Sequence, residues 1–387
     1  MAPELALAHL TDLSKDQVVL DPMSGSGTVL RQASVLGHRA RGFDMDPLAV
    51  LMSRVWTTVV ADADIEYLFK RVLKSEGRIR SVILPWMDED PETSAFAKYW
   101  FGRKQRERLR RLACVLARYA ADARTLDEQA AVDVLRLALS RIIITKDKGA
   151  SLGRDISHSR PHKVMDKNDY DVDVGFDRSV RTIRKRLSEE PPSKVAVKVS
   201  LGDARQLTDL GDGTIDTILT SPPYLNAIDY LRGHRLSLIW LGHRLGDLRT
   251  IRSNSIGSER GPEGPSDTVE LIAMRMAMGE LDSLPDRFSR MIDRYVQDLY
   301  VMIKELSRVL KKNGQVTLVV GNSCLRGVFI KNATAIETAA ELCGLRMTNR
   351  IERALPQQSR YLPVDTDSAL GKRMRTEIIL SFIKRVA

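Results

Sequence analysis

The chain carries two kinds of hydrophobic pattern. Short apolar runs that end in acids or turn residues occupy two separated regions, and stretches of helical period fill the space between them. "QVVLD" (17 to 21) reads as a short buried strand, "PMSGSG" as a Gly-rich turn, "TVLRQASVLG" as a helix stopped by Gly37, and "RARGFDMD" as a second strand ending in acids. This β-loop-α-β unit of about thirty residues is the size of half a doubly wound fold, which assigns the chain to the α/β class. After Pro47 the pattern changes: "AFAKYWFGRKQRERLRRLACVLARYAADA" and "DEQAAVDVLRLALSRIII" are helical in period, so residues 61 to 193 are expected to form a mostly helical insertion. Strand patterns resume at "KVAVKVSLGDA" (194 to 204), "TIDTILTS" (214 to 221), "QVTLVVGNS" (315 to 323), "LRMTNRIERAL" (345 to 355) and "RTEIILSFIKR" (375 to 385), for seven strands in all. The expected division is a sheet domain of residues 1 to 60 and 194 to 387, interrupted by the insertion.

Composition adds limits rather than identity. With 387 residues and 43% hydrophobic content the chain can bury one large core and carry a second region. No long apolar run is present, and "MAPELALAHLTDLSKDQ" is too polar for an export signal, so membrane and secretory readings are disfavoured and the cytoplasm is expected. Cys114, Cys324 and Cys343 are scattered without ligand spacing and read as small apolar residues, and no metal site is expected.

The net charge of +10 favours anionic partners, and its distribution is informative. "KYWFGRKQRERLRRL" (98 to 112) offers Arg103, Lys104, Arg106, Arg110 and Arg111, and "RIIITKDKGASLGRDISHSRPHK" (141 to 163) offers Lys146, Lys148, Arg154, Arg160 and Lys163 as candidate phosphate contacts. For either tract alone a solvated helix face or a mobile loop explains the charge as well. His158 and His162 read as part of a solvated or phosphate-contacting loop rather than as metal ligands.

Candidate chemistry lies at the strand ends. In "DPMSGSGT", Gly25 and Gly27 let a ligand approach the backbone closely. The dinucleotide fingerprint and the P-loop lysine are both absent, which disfavours phosphate cradling. Asp21 is placed to meet an ammonium group, Asp44 to accept from ribose hydroxyls, and Asp203 in "SLGDARQL" to accept from an adenine amine. An acid at a strand end is more often a cap or turn residue, but three of them beside two glycines form a constellation that suits a nucleoside bearing an amino acid. In "TILTSPPYLNAIDY" (217 to 230), Pro222 and Pro223 end a buried strand abruptly and freeze the chain behind it.

"DPMSGSGT", "GFDMDP", "GDARQL", "TSPPY" and "RVLKKNGQVTLVVGNS", in that order, resemble the S-adenosylmethionine-dependent DNA amino-methyltransferases, over residues 15 to 60 and 194 to 385. The resemblance implies a Rossmann-like class I methyltransferase sheet of seven strands ending in an antiparallel pair. It implies S-adenosylmethionine as cofactor, held by Asp21, Pro22, Ser24, Gly25, Ser26, Gly27, Thr28, Asp44 and Asp203, and a catalytic loop of Ser221, Pro222, Pro223 and Tyr224. On this resemblance the Ser221 hydroxyl and the Pro222 carbonyl accept hydrogen bonds from an exocyclic amine, and Tyr224 stacks on a base flipped out of double-stranded DNA. Serine at the head of the motif is what N4-cytosine members tend to carry, whereas aspartate is usual in N6-adenine members; an RNA guanine-N2 methyltransferase is the remaining alternative. A restriction endonuclease or defence-system partner is the companion such an enzyme suggests. No recognition domain is expected after the last strand, so target recognition is assigned first to the insertion and second to residues 231 to 260. Trp240 in that second segment is a candidate base contact, although its spacing with Leu236 and Leu241 reads as core.

Overall fold

The computed structural model describes residues 3–154, 161–225, 229–258, 268–354 and 376–385. Two compact units emerge, one of Met1–Met45, Val195–Ile228 and Ser253–Ala387 and the other of Asp46–Lys194 and Asp229–Arg252.

The first unit is built on a seven-stranded sheet: β1 (Val18–Asp21), β2 (Arg39–Asp44), β3 (Val197–Leu201), β4 (Ile215–Thr220), β5 (Leu310–Val320), β6 (Leu345–Ala354) and β7 (Thr376–Lys384). Their spatial order is β6-β7-β5-β4-β1-β2-β3. The five strands from β5 to β3 are parallel, and β7 inserts antiparallel between β5 and β6. This is the Rossmann-like seven-stranded α/β sheet expected from the sequence, closing antiparallel pair included. Parallel strands buried on both faces must be apolar almost throughout. β1 ends in three buried residues, β4 in four and β5 in five, which is why these runs showed so plainly in the sequence. The 24-residue helix Asp286–Val309 supplies Ile292, Val296, Leu299, Ile303 and Leu306 to the core, joined by Ile218, Leu318 and Leu380 from the sheet.

The second unit is helical, and its core draws on more of the chain than residues 61 to 193. The helix Pro47–Thr57 contributes Leu48, Leu51 and Val55, while the segment after the proline loop contributes Leu231, Leu236, Leu238, Ile239 and Trp240. Trp240 is buried against Phe101, with ring centroids 5.0 Å apart and nearly perpendicular planes, so it is core. Hydrogen bonds fix the returning segment in this unit: Arg136 donates to the Leu241 carbonyl at 2.9 Å, Trp86 to the Ile239 carbonyl at 2.8 Å and Ser237 to the Ser140 carbonyl at 3.1 Å. The boundaries expected at residues 60 and 194 therefore differ from the packing, which transfers the first helix after β2 and residues 229–252 to the helical unit. Among the described residues no helix is long and apolar enough to cross a membrane.

Candidate active site

β1 pairs with β2 on one side and with β4 on the other, so the strand order reverses between β1 and β4. At such a switch point the loops leaving the carboxyl ends of adjacent strands part, and the crevice between them is where doubly wound sheets bind ligands. Here the two loops are the glycine turn after Asp21 and the proline loop after Thr220.

Asp21 closes β1 and is buried. Its Oδ1 accepts from the Thr220 hydroxyl at 2.7 Å, across the β1–β4 pair, and from the Met23 amide at 3.2 Å. Burial pushes the carboxyl up to about 6; the two hydrogen bonds oppose this rise and the charge of Asp44 adds to it. A buried acid pushed up at a strand end, beside an open loop, makes this a candidate ligand site. Pro22 and Ser24 are buried and Ser26 is exposed at the tip. The Ser24 amide bonds the Phe43 carbonyl at 2.8 Å, the Gly27 amide bonds the Ser24 carbonyl at 2.8 Å, and Thr28 begins the next helix. Gly25 has φ 50° and Gly27 φ 85°, conformations that L side chains seldom adopt. A Cβ built on Gly25 would have nothing within 4 Å, so the glycine also opens onto unfilled space. Asp44, at the end of β2, accepts from the Gly25 amide at 2.8 Å through Oδ2, tying the turn to the second strand end.

Asp203 sits just beyond β3 in a tight turn, gripped by Arg205, whose Nε lies 3.0 and 3.1 Å from the two carboxylate oxygens and whose Nη2 lies 2.6 Å from one of them. Arg205 also reaches Asp298 on the long helix and the Asn254 carbonyl, each at 2.5 Å. Asp203 is thus at the expected strand end, but as one half of a fixed ion pair. Nothing in "GDARQL" signals that Asp298, 93 residues away, completes the network.

In the proline loop, the Ser221 hydroxyl donates to the Val319 carbonyl of β5 at 2.9 Å. That commits its proton to β5, and the Tyr224 hydroxyl is a further neighbour of the Ser221 oxygen, which keeps capacity to accept from an incoming donor. Pro222 is buried, and among the described residues nothing donates to its carbonyl. The Pro223 carbonyl accepts from Tyr295 at 3.1 Å. Tyr224 is partly buried; burial, with Glu377 nearby, holds its phenol above the usual tyrosine range, while the neighbouring Ser221 hydroxyl opposes the rise through a hydrogen bond.

The relatives can be set beside this geometry. No family model matches the chain. The type II methyltransferase M.BsoBI of Geobacillus stearothermophilus is 23% identical over 281 residues, covering 62% of this chain and 50% of that protein. M.MvaI of Kocuria varians is 22% identical over 413 aligned residues, covering 98% of this chain and 88% of its own length. M.AvaI of Nostoc sp. is 23% identical over 373 residues, covering 85% and 73%. The match to M.BsoBI thus takes in about half of that protein. A solved S-adenosylmethionine-dependent methyltransferase from Methanosarcina mazei covers 100% of this chain and 99% of its own, at 9% identity and a TM-score of 0.36, a likeness too distant to add to the strand order above.

The basic candidates of the helical unit fall into two groups. Arg110 bonds Asp88 at 2.8 Å and the Val82 carbonyl at 3.2 Å, Arg111 bonds the Glu76 and Ile79 carbonyls at 3.3 and 3.2 Å, and Arg106 reaches the Lys98 carbonyl at 3.3 Å. These guanidinium groups hold neighbouring loops and helix ends in place, a role that the charge pattern did not suggest. Arg103 and Lys104 are exposed on the first turn of the helix Arg103–Asp122, Arg103 with Glu107 at 2.9 Å. That turn carries no acid, so its cations oppose the helix dipole, offset for Arg103 by its i,i+4 pair with Glu107.

The described part of the second tract is anchored rather than loose. Ala150, Ser151 and Leu152 are buried, with amides bonded to the Ile142, Ile143 and Trp100 carbonyls at 2.7, 2.9 and 2.7 Å. Lys146 and Lys148 are exposed, Lys148 pairing with Asp169 at 2.6 Å. Arg154 is half-buried in a short hairpin with His162 and Lys163, and Lys163 pairs with Asp166 at 2.8 Å and lies 5.5 Å from the Tyr99 ring centre. His158 and Arg160 lie outside the described residues.

Proposed function

We propose that the protein is an S-adenosylmethionine-dependent DNA methyltransferase that methylates the exocyclic amine of cytosine to give N4-methylcytosine. The observation that carries this reading is the Ser221 hydroxyl, whose proton is engaged by the Val319 carbonyl at 2.9 Å in a loop bonded through Thr220 to Asp21. The names of the three relatives, all type II methyltransferases, support methyl transfer.

The glycine turn fits the cofactor: the space beside Gly25 is open, and Asp21 is a buried acid that an ammonium group would stabilise in its charged form. Asp21 would hold the amino group of the cofactor, Asp44 the ribose hydroxyls, and Asp203, fixed by Arg205, the adenine amine. When bound, S-adenosylmethionine supplies an electrophilic sulfonium methyl. The amine of cytosine is a poor nucleophile because its lone pair is delocalised into the ring. Ser221 and the Pro222 carbonyl accept from the amine hydrogens and so turn the lone pair toward the methyl, and the two prolines hold these acceptors without reorganisation. Tyr224 offers a ring face to a base that has left the duplex, offsetting part of the unstacking cost. With the cofactor held by Asp21, Asp44 and Asp203, its methyl would pass to the amine that Ser221 and the Pro222 carbonyl orient, a C–N bond replacing the S–CH3 bond. The surplus amine proton would go to solvent, so no residue of the chain would have to act as a strong base.

Expression in a host free of DNA methylation, followed by mass spectrometry of the digested DNA, is expected to show N4-methylcytosine. N6-methyladenine without N4-methylcytosine would overturn the choice of base, and unmodified DNA the function. DNA binding by the helical unit is testable separately. Replacing Arg103 and Lys104 together by alanine should reduce the slope of log affinity against log salt by about two, near one per lost phosphate contact. Replacing Arg110 and Arg111 should instead lower the thermal midpoint, because their partners lie within the protein. An unchanged slope in the first variant would remove Arg103 and Lys104 from the interface.

A further inference from the structure

The loop bearing Ser221 contains two residues without an amide hydrogen, so its position must be fixed largely through carbonyls and side chains. Tyr295, on the helix Asp286–Val309, is 1% exposed. Its hydroxyl donates to the Pro223 carbonyl at 3.1 Å, on the near side of Tyr224, and lies beside the Leu225 backbone on the far side. From the opposite direction the Leu225 carbonyl accepts from the Ser323 hydroxyl at 2.7 Å. Ser323 in turn accepts from the fully buried Asn332 amide at 2.8 Å, and Asn332 also donates to the Gly321 carbonyl at 2.9 Å. Gly257, with φ +76°, passes so close that a Cβ there would lie 3.4 Å from the Tyr224 carbonyl oxygen and 3.5 Å from the Tyr295 ring. A phenylalanine would fill the same core volume as Tyr295; the hydroxyl is needed only for the loop.

We propose that Tyr295 is a positioning residue for methyl transfer, fixing the Pro223–Leu225 backbone so that Ser221 and the Pro222 carbonyl keep the spacing of the two amine hydrogens. This rests on the amine-methylation reading above. Burial holds the Tyr295 phenol above the usual tyrosine range, so it remains a donor throughout the working pH range. Without it the Pro223 carbonyl loses its donor, the Pro223–Tyr224 peptide plane is free to tilt, and the adjoining Pro222–Pro223 unit, which carries the Pro222 carbonyl, loses its fixed anchor.

The test compares the full-length protein with Tyr295→Phe and Ser323→Ala. It reads hydrogen exchange at the Leu225 amide, kcat and KM on DNA, affinity for S-adenosylhomocysteine, and the thermal midpoint. Tyr295→Phe is expected to speed Leu225 exchange and lower kcat, each about tenfold, the effect of one lost hydrogen bond and a small misplacement, with cofactor affinity unchanged. Ser323→Ala should move exchange and kcat in the same direction by less, and it keeps the question open to refutation if Tyr295→Phe fails to fold. Unaltered Leu225 exchange would overturn the clamp. Faster exchange with the parent kcat, or a lower midpoint alone, would overturn its part in catalysis. If the parent protein itself transfers no methyl group to DNA, the amine-methylation reading fails, while Leu225 exchange still decides whether the clamp exists.

Discussion

Ser221→Ala is expected to lower the rate of methyl transfer roughly 30- to 1,000-fold, or about 2 to 4 kcal/mol of barrier, the range for losing one pre-organised hydrogen-bond partner at the reacting group. The hydroxyl donates to the Val319 carbonyl, so alanine removes the proposed acceptor and also leaves that carbonyl without this donor. Affinity for S-adenosylhomocysteine should stay within about twofold, because the residues proposed to hold the cofactor lie at the ends of β1 and β2, in the glycine turn and in the turn after β3. Single-turnover kinetics with the cofactor at saturation check the rate, and calorimetry checks the affinity. An equal loss in both would mean that Ser221 supports the fold of the crevice rather than the amine.

Asp21 should give the protein opposite pH responses with and without cofactor. Its carboxyl, at 3.8 when unfolded, is pushed up to about 6 in the folded, ligand-free protein. Between these values the folded state binds more protons than the unfolded one, so this residue's effect on stability is nil below about pH 4. It becomes increasingly unfavourable as pH rises toward 6, and is complete above that, at about 3 kcal/mol. Asp21→Asn keeps an oxygen that can accept from Thr220 and Met23 but removes the buried charge. Its thermal midpoint without ligand should therefore exceed that of the parent protein at pH 7.5 and match it near pH 4. Cofactor binding should run the other way. An ammonium ligand favours ionised Asp21, so parent affinity for S-adenosylhomocysteine should fall about tenfold from pH 7 to pH 5, and Asp21→Asn should bind weakly at both. A parent affinity independent of pH over this interval would separate Asp21 from the amino group.

The apolar runs and the acids that close them made most of the sheet legible. "VVLD", "IDTILT" and "VTLVV" are buried on both faces, which demands apolar residues whatever lies in between, and the glycines of "SGSG" announce a turn that only left-handed φ can make. The helical unit was legible as helices and not as a unit. Period reveals which face of a helix is apolar but not which partner covers it, so the return of residues 229–252 to the core of Asp46–Lys194 left no local mark. Charge behaved likewise: Arg103 and Arg110 are equivalent in a charge pattern, and only packing separates an exposed cation from one joined to Asp88.

By itself, then, the sequence determined the α/β class, the seven strands, the glycine turn and the serine–proline loop, because each follows from short-range constraints on φ, on burial and on which backbone groups carry a hydrogen. The tertiary structure alone decided that β4 lies beside β1, which brings Thr220 to Asp21 from 199 residues away, that Ser221 directs its proton to β5, and that Tyr295 grips the proline loop. Those contacts depend on strand order and helix placement, which minimise exposed apolar area over the whole sheet at once, and no local spacing encodes a sum taken over residues so far apart.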